Sequence, residues 1–582
     1  YKDSFFMDRT LILAEKEAAR YGVEAQFRIE EALPSFEIRS SDGKIVIAAP
    51  DSLEILYGVY EFAERFNGWC FFSPGRDEFL PERKKEFPAE GVLLPAKKPL
   101  LHRRGFIQEF PFNEETPALF DWMAKNKLNY LLTWMKYYDD LSPELKQAAL
   151  DRGIAIESGH HNFDYWIPGK VYGKTNPEFF AEINGKRINP SGKSELLLSE
   201  QLCTTNPELR KEFVRRMDEY CQAHPEIKTI SLVPNDGFGW CECENCAKFY
   251  DKNKKGDFYS LSTHVYKADV IYHDLVRDVS AQLRALGRDV TLTFCAYVNY
   301  CAPSPGMTLE KGMAIHIAPY WRCINHPLDD PSCETNASYL EDIRKWCSVK
   351  KGGQVNIYEY YMGVNFYLSL PMIHWEEMFR EMECYNRIGV DGVLTQFHIP
   401  HWTAYGTNYR MMALAARGED CRESICRMLE ELFGPDAAEA GEFYRSIRQA
   451  MLRMGKCHIP YPRSILRRMA LSDFESFHEK ALALCAKAPE NVLRKELVIW
   501  TEYMIRFKKL FDLLLEQKAA EKDVDDFVTW IHTHRNTRVF VHEKFDTYFQ
   551  AVKTAIRQGS KWVHFNLDWE DAYILKHDET LQ

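Results

Sequence analysis

Beyond residue 100 the chain repeats one pattern: a short apolar run, then a stretch whose apolar residues recur three and four apart. Eight such runs are read, at Arg104–Ile107, Tyr130–Trp134, Ile154–Glu157, Thr229–Val233, Thr291–Cys295, Ala314–Ile317, Gln354–Ile357 and Gly392–Thr395. Helix-period segments separate most of them, among them Pro117–Asn126, Glu208–Ala223, Ala268–Ala285, Tyr339–Ser348 and Trp375–Arg387. A parallel strand covered on both faces reads as a continuous apolar run, and its parallel neighbour needs a crossover connection. Eight βα units over roughly 300 residues predict an α/β chain built on a (β/α)8 TIM barrel, with an open doubly wound sheet as the alternative. The fifth unit departs from the pattern, because Val298–Leu309 is Pro-rich and too short for an ordinary crossover helix. The third carries a long insertion, Phe163–Thr204, rich in Gly, Pro, Asn and aromatics. Long loops after barrel strands commonly build active sites.

The flanks read differently. Residues 1–98 predict a small α/β domain: Ser35–Arg39 and Ile45–Ala48 flank an Asp42-Gly43 hairpin turn, and Ser52–Phe62 places its apolar residues on one helix face. The barrel is expected over 99–406. From 407 to 582 the periodicity is helical throughout, at Glu423–Leu432, Ala437–Met454, Ser472–Ala488, Glu490–Ala520 and Asp523–His534, which predicts an α-helical C-terminal domain. The tail Trp562–Gln582 is aromatic and acidic without a clear period.

Charge and composition narrow the function classes. Of 582 residues, 74 are Lys or Arg and 85 are Asp or Glu, a formal net charge of −11, which argues against a nucleic-acid or anionic-membrane partner. No apolar run reaches the ~18 residues of a membrane span. The chain begins at Tyr1 rather than Met, as a chain freed of a targeting segment or trimmed at its start does. Aromatic residues make up 14%, which suits stacking on sugar rings as well as a bulky core.

In a TIM barrel, chemistry sits just past the C-terminal ends of the strands. Read in order, those ends are Gln108-Glu109-Phe110, Trp134 to Tyr138, Glu157 to Asn162, Pro234 to Trp240, Tyr297 to Tyr300, Pro319 to Arg322, Tyr358 to Tyr361 and Gln396 to Trp402. They supply carboxylates, His, Asn and a ring of Trp and Tyr, with no Gly-rich phosphate loop and no basic cluster. Paired carboxylates are the working groups of glycoside hydrolysis. Asp236, where an apolar strand breaks into Pro-Asn-Asp-Gly, and Glu359, set among Tyr358, Tyr360 and Tyr361, are the expected catalytic pair. Asp236 also fits an ordinary turn, and Glu359 a buried carboxylate satisfied by Tyr hydroxyls or an Arg. Asn235, His160, His161, Trp134, Tyr297, Tyr320, Trp321, Tyr358, Tyr360, His398 and Trp402 are the expected substrate contacts. Gln108, Trp134, His160, Asp236, Tyr297, Tyr320, Glu359 and His398 should open onto one cavity. His160 and His161 are neighbours on an extended segment and should point opposite ways, so no metal is assigned to them.

Cys241-x-Cys243-x-x-Cys246 is locally dense, but a structural zinc site needs a fourth ligand. The three thiols are read as bracing the loop after the fourth strand, with no metal and no cofactor expected.

The segment Ser231-Leu-Val-Pro-Asn-Asp-Gly-Phe-Gly-Trp-Cys-Glu-Cys-Glu-Asn-Cys246 resembles the signature of the domain-of-unknown-function 4838 family, part of which is classified as glycoside hydrolase family 163. Ile55–Phe62 with Trp69–Pro74 resembles the small α/β domain that precedes the barrel in family 20 hexosaminidases and family 67 α-glucuronidases. The resemblance, over roughly residues 30–405, implies a carbohydrate-active TIM barrel. It implies an endo-β-N-acetylglucosaminidase activity on N-glycans, with an oligosaccharide or glycoprotein glycan as partner. Many relatives of this type are secreted by gut bacteria, which implies an extracytoplasmic location. Family 20 has an adjacent Asp-Glu pair at the fourth strand, whereas this chain has Asn235-Asp236. One route is retaining, with Asp236 as acid/base and Glu359 as nucleophile. The other uses the substrate's own acetamido oxygen, with Asn235 or Asp236 orienting it and Glu359 or Asp236 protonating the leaving group; the resemblance favours this one. Two alternatives stand beside both: a non-catalytic carbohydrate-binding barrel, and a metal-dependent hydrolase using His160, Asp236 and His398.

Overall fold

The computed structural model describes residues 8–188, 201–237, 239–252, 266–320, 322–361, 368–454, 462–540 and 542–559. The chain opens with α1 (Arg9–Tyr21) and a four-stranded sheet of β1 (Ala25–Ile29), β2 (Glu37–Ser41), β3 (Lys44–Ala49) and β4 (Gly91–Leu94), in the order β1-β3-β2-β4. The β2–β3 hairpin turns at Asp42 and Gly43, with φ of 52° and 71°, the left-handed pair that an Asp-Gly turn accommodates. Helix α2 (Ser52–Arg65) lies over the sheet and buries Ile55, Leu56, Val59 and Phe62.

Eight parallel strands then close into a barrel: β5 (Arg103–Gln108), β6 (Tyr130–Trp134), β7 (Ala155–Gly159), β8 (Thr229–Ser231), β9 (Thr291–Tyr297), β10 (Met313–Ala318), β11 (Gln354–Glu359) and β12 (Gly392–Gln396). Each pairs with its sequence neighbours, and β12 closes on β5 with Gly392 opposite Arg103. Helices α3 (Thr116–Lys125), α4 (Pro143–Asp151), α5 (Pro207–Ala223), α6 (Asp269–Ala285), α7 (Glu334–Ser348), α8 (Trp375–Ile388) and α9 (Trp402–Arg417) follow seven of the strands. After β9 the connection holds no α-helix, only a 3₁₀ turn, Val298–Tyr300, and a two-residue strand, Leu309–Glu310, in keeping with the Pro-rich sequence there.

Strand residues alternate between two cores, as period-two geometry requires. Ile107, Tyr130, Leu132, Ala318, Tyr358 and Leu394 fill the lumen. Phe106, Leu131, Phe294, Ile317, Ile357 and Val393 face outward into the layer beneath the helices. Gly105 is required where β5 and β6 approach: a Cβ there would lie 1.7 Å from the Tyr130 carbonyl oxygen. Gly105→Ala is therefore expected to lower the thermal midpoint, at the ~1–3 kcal/mol scale of overpacking or beyond it. An unchanged midpoint in thermal unfolding would show that the two strands part there without cost.

Helix α9 is buried along its whole length. Trp402 Nε1 donates to the Phe72 carbonyl (2.9 Å), Arg410 pairs with Glu64 (2.8 Å), and Thr403 N donates to the Arg538 carbonyl (2.8 Å). The helix thus joins the small α/β unit, the barrel and the C-terminal helices, and the boundary expected at 406 falls inside it. The C-terminal helices include α10 (Cys421–Phe433), α11 (Ala437–Arg453), α12 (Leu471–Lys487), α13 (Val492–Leu515) and α14 (Glu521–Thr533), with further helical segments at Pro462–Arg468 and His542–Arg557. The aromatic tail from Trp562 lies outside the described residues. No helix among the described residues is long and apolar enough to cross a membrane.

Candidate active site

A cavity of about 150 Å³ opens at the C-terminal end of the barrel. Its wall includes Glu109, Glu157, His160, His161, Asp236, Tyr297, His316, Tyr320, Tyr358, Tyr360 and Gln396. Of the expected residues, the structure brings His160, His161, Asp236, Tyr297, Tyr320, Tyr358 and Tyr360 together here.

Glu109, one residue past β5, is a heavily engaged acid of the wall. Its Oε1 accepts from Tyr358 Oη (2.8 Å), Gln396 Nε2 (2.6 Å) and His160 Nε2 (3.2 Å). Burial pushes this carboxyl up, but the bonds from His160, Tyr358 and Gln396 outweigh that and hold it below the usual carboxylate range. The histidine tautomers follow from their other bonds. His160 Nδ1 accepts from the His161 backbone N–H (2.9 Å), so its proton sits on Nε2, toward Glu109. His161 Nδ1 donates to the Pro234 carbonyl (2.6 Å), and its Nε2 lies 3.9 Å from Asp236 Oδ1. Burial holds His161 below its ordinary value, against the pull of Asp236, so it is neutral at pH 7. Burial likewise keeps the Tyr297, Tyr358 and Tyr360 phenols protonated.

Both histidines reach the cavity because His160 has φ 65°, which breaks the strand alternation at that residue. Asp236 stands at the rim with a side chain 67% exposed, against 13% for Glu109. Deeper in, Glu157 accepts from Tyr130 Oη (2.7 Å), His316 Nε2 (2.8 Å) and Thr293 Oγ1. His316 Nδ1 and Gln396 Oε1 are buried without a protein partner among the described residues.

Other expectations are corrected. Glu359 does not face the cavity: with Val355 and Ile357 it points outward, where it accepts from Arg322 Nη1 (2.7 Å) and Tyr385 Oη (2.6 Å) under helix α8. Burial, opposed by Arg322 and reinforced by Glu381, raises its carboxyl. A carboxylate committed to that buried cluster cannot reach a substrate in the lumen. Asn235 is also turned away, since its Nδ2 donates to Asp164 Oδ1 (2.9 Å) and its Oδ1 accepts from Asp164 N (3.2 Å). Trp134 stacks on His160 from outside the wall, with ring centroids 4.2 Å apart. Gln108 donates to the Phe110 carbonyl (2.9 Å), and His398 packs edge-on against Phe110. With His398 off the wall, the metal trio His160, Asp236 and His398 does not converge. Trp402 is the buried start of α9, and Trp321 lies outside the described residues.

Glu109, Glu157, His316 and Gln396 were missed as wall residues. Period two supplied a signal for the first: Gly105, Ile107 and Glu109 share the lumen face of β5.

A sequence model described as a domain of unknown function, DUF4838, matches residues 95–445, more than half of the chain. The chain belongs to the DUF4838 family. No curated protein matches it. Among solved structures, the family 89 glycoside hydrolase from Clostridium perfringens, in complex with 2-acetamido-1,2-dideoxynojirmycin, is similar over 91% of this chain and 66% of its own, at 11% identity and a TM-score of 0.55. The β-N-acetylhexosaminidase from Bacteroides fragilis is similar over 72% of this chain and 84% of its own, at 14% identity and a TM-score of 0.44. The first likeness shows that the DUF4838 chain shares the barrel fold of that glycoside hydrolase.

Proposed function

We propose that the protein is a glycoside hydrolase acting on a 2-acetamido sugar of a glycan, of the β-N-acetylglucosaminide, N-glycan type. The observation that carries this reading is that two carboxylates from different strand ends, Glu109 and Asp236, share one Tyr-lined cavity at the C-terminal mouth of the barrel. The 2-acetamido preference rests on the family resemblance, and on the family 89 neighbour's bound 2-acetamido ligand.

The two acids divide the work by environment. Glu109 is held ionised by the bonds from His160, Tyr358 and Gln396, which suits it to an anionic role. It serves as the fixed anion that balances positive charge developing on the sugar ring. Asp236, at the open rim 3.9 Å from His161 Nε2, is the carboxyl placed to pass a proton to the leaving oxygen and to take one from water. The Tyr297, Tyr320, Tyr358 and Tyr360 rings and hydroxyls bound the sugar. The acetamido oxygen of the substrate is the nucleophile in this scheme.

The test is incubation with released N-glycans and with aryl glycosides of 2-acetamido sugars in both anomers, read by mass spectrometry. Hydrolysis is expected, with thiazoline analogues inhibiting and 2-fluoro sugars failing to trap the enzyme. Asp236→Asn should lower kcat/KM by about 10²-fold or more, the scale of one proton-transfer group. A stable glycosyl ester on Glu109 would replace the acetamido route by direct displacement. Binding of the whole panel without turnover would make the barrel a carbohydrate-binding module instead.

A further inference from the structure

The three thiols of the strand-four loop meet a fourth. Cys203 enters from the end of the β7–α5 insertion, and its Sγ lies 3.7 Å from Cys243 Sγ and 3.8 Å from Cys246 Sγ. The four sulfurs of Cys203, Cys241, Cys243 and Cys246 all lie within 4.8 Å of one another, and all four residues are buried. We propose that these four cysteines hold one zinc ion as a closed tetrathiolate site, revising the reading that gave this loop no metal.

The spacing decides between the options for such a cluster. Sulfurs about 2.3 Å from a tetrahedral zinc stand about 3.8 Å apart along each edge, matching both measured separations. A disulfide needs a separation of about 2.05 Å. Four zinc-bound thiolates release four protons and leave a net charge of −2, which a buried site must balance. Donors are in place: the Glu182 backbone N–H points at Cys241 Sγ (3.3 Å), and Arg187 Nη1 lies 3.8 Å from the same atom. Thr205 Oγ1 lies 3.1 Å from Cys246 Sγ. Partners of this kind orient and tune metal-bound sulfur. All four tetrahedral positions are filled by protein, so the site is structural rather than catalytic.

Its place in the fold gives it a task. Gln201, two residues before Cys203, donates from Nε2 to the carbonyls of Asn235 (2.7 Å) and Gly237 (2.9 Å) and accepts from Asn235 N (3.0 Å). The ion would therefore clamp the insertion to the segment that bears Asp236. The metal assignment itself does not depend on the activity proposed above.

The experiment is metal analysis of the full chain after dialysis against metal-free buffer, with X-ray absorption at the zinc edge. One zinc ion per chain is expected, with four sulfurs at about 2.3 Å. The ion should be lost from the Cys203→Ser/Cys246→Ser double variant. The wild-type measurement stands even if that variant does not fold. Nitrogen or oxygen in the coordination sphere would point to the separate three-donor set of Cys323, His326 and Cys333 and overturn the proposal. Absence of metal, iron in place of zinc, or a disulfide among the four thiols in peptide maps would overturn it equally.

Discussion

Replacing Glu109 by Gln is expected to lower kcat/KM by about 10²–10⁴-fold, the range for removing a group that acts directly on proton or charge transfer. The variant keeps the side-chain volume and one acceptor oxygen but removes the charge. Glu359→Gln is the internal control. Its carboxylate lies in the outer layer with Arg322, so its replacement unbalances a buried ion cluster without touching the cavity. The expected result there is a lower thermal midpoint, with kcat/KM of the folded fraction within about three-fold of wild type, because surviving folded molecules keep the whole cavity wall. The pH profile adds an independent reading. Glu109 sits below the usual carboxylate value of 4.5, so the acid limb of kcat/KM should fall below that value, as pH drops through its lowered pKa. Full activity in Glu109→Gln would remove this residue from the chemistry. A large rate loss in folded Glu359→Gln would restore the expectation that the structure corrected.

The contrast between these two glutamates shows what the sequence makes legible. The eight strands stand out because a strand covered on both faces must be apolar along its length, and the seven crossover helices carry their own period. Residues at or just past the strand ends were accordingly found: Asp236, Tyr297, Tyr320 and Tyr358 all reach the cavity. Which face a residue takes was also recoverable. Val355 and Ile357 pack under the helices, and Glu359, two residues on, follows them outward; Ile107 fills the lumen, and Glu109 follows it inward. Reading strand ends as clusters of chemistry, without that alternation, favoured an acid that faces away from the cavity. Other features had no local signal. A left-handed non-glycine residue at His160 is imposed by its tertiary surroundings, and it is what brings both histidines to one wall. Cys203 is separated from Cys241 by helix α5 and strand β8, so only the closed barrel brings the fourth thiol to the other three. Trp402 reads like a rim aromatic, yet it starts a helix enclosed on all sides by neighbouring units.

The second large effect is expected in the floor of the barrel, at Glu157. This side chain is fully buried, and its two oxygens accept from Tyr130, Thr293 and His316, which come from three other strands. Glu157→Leu leaves those three donors facing an apolar group. A buried donor left without its acceptor costs about 1–3 kcal/mol, and three are stranded together, so a marked fall in the thermal midpoint is expected. Replacing His316 by Leu in the Glu157→Leu background should cost less than the sum of the single changes, since the imidazole stranded by the first substitution is gone. A double-mutant cycle within one such network should show a coupling of about 0.5–3 kcal/mol. The pH dependence has a defined sign. Burial pushes the Glu157 carboxyl up, but His316 and the hydrogen bonds from Thr293 and Tyr130 outweigh burial and hold it below 4.5. A carboxyl whose folded pKa is depressed contributes stability that is present above its unfolded pKa and lost as pH falls through the folded one. The wild-type melting temperature should therefore drop on acidification below that value, and the Glu157→Leu curve should be flatter across the same window. Thermal melts of both proteins over an acidic pH series measure it. Parallel curves would show that the lumen pair contributes nothing to the acid sensitivity of the fold.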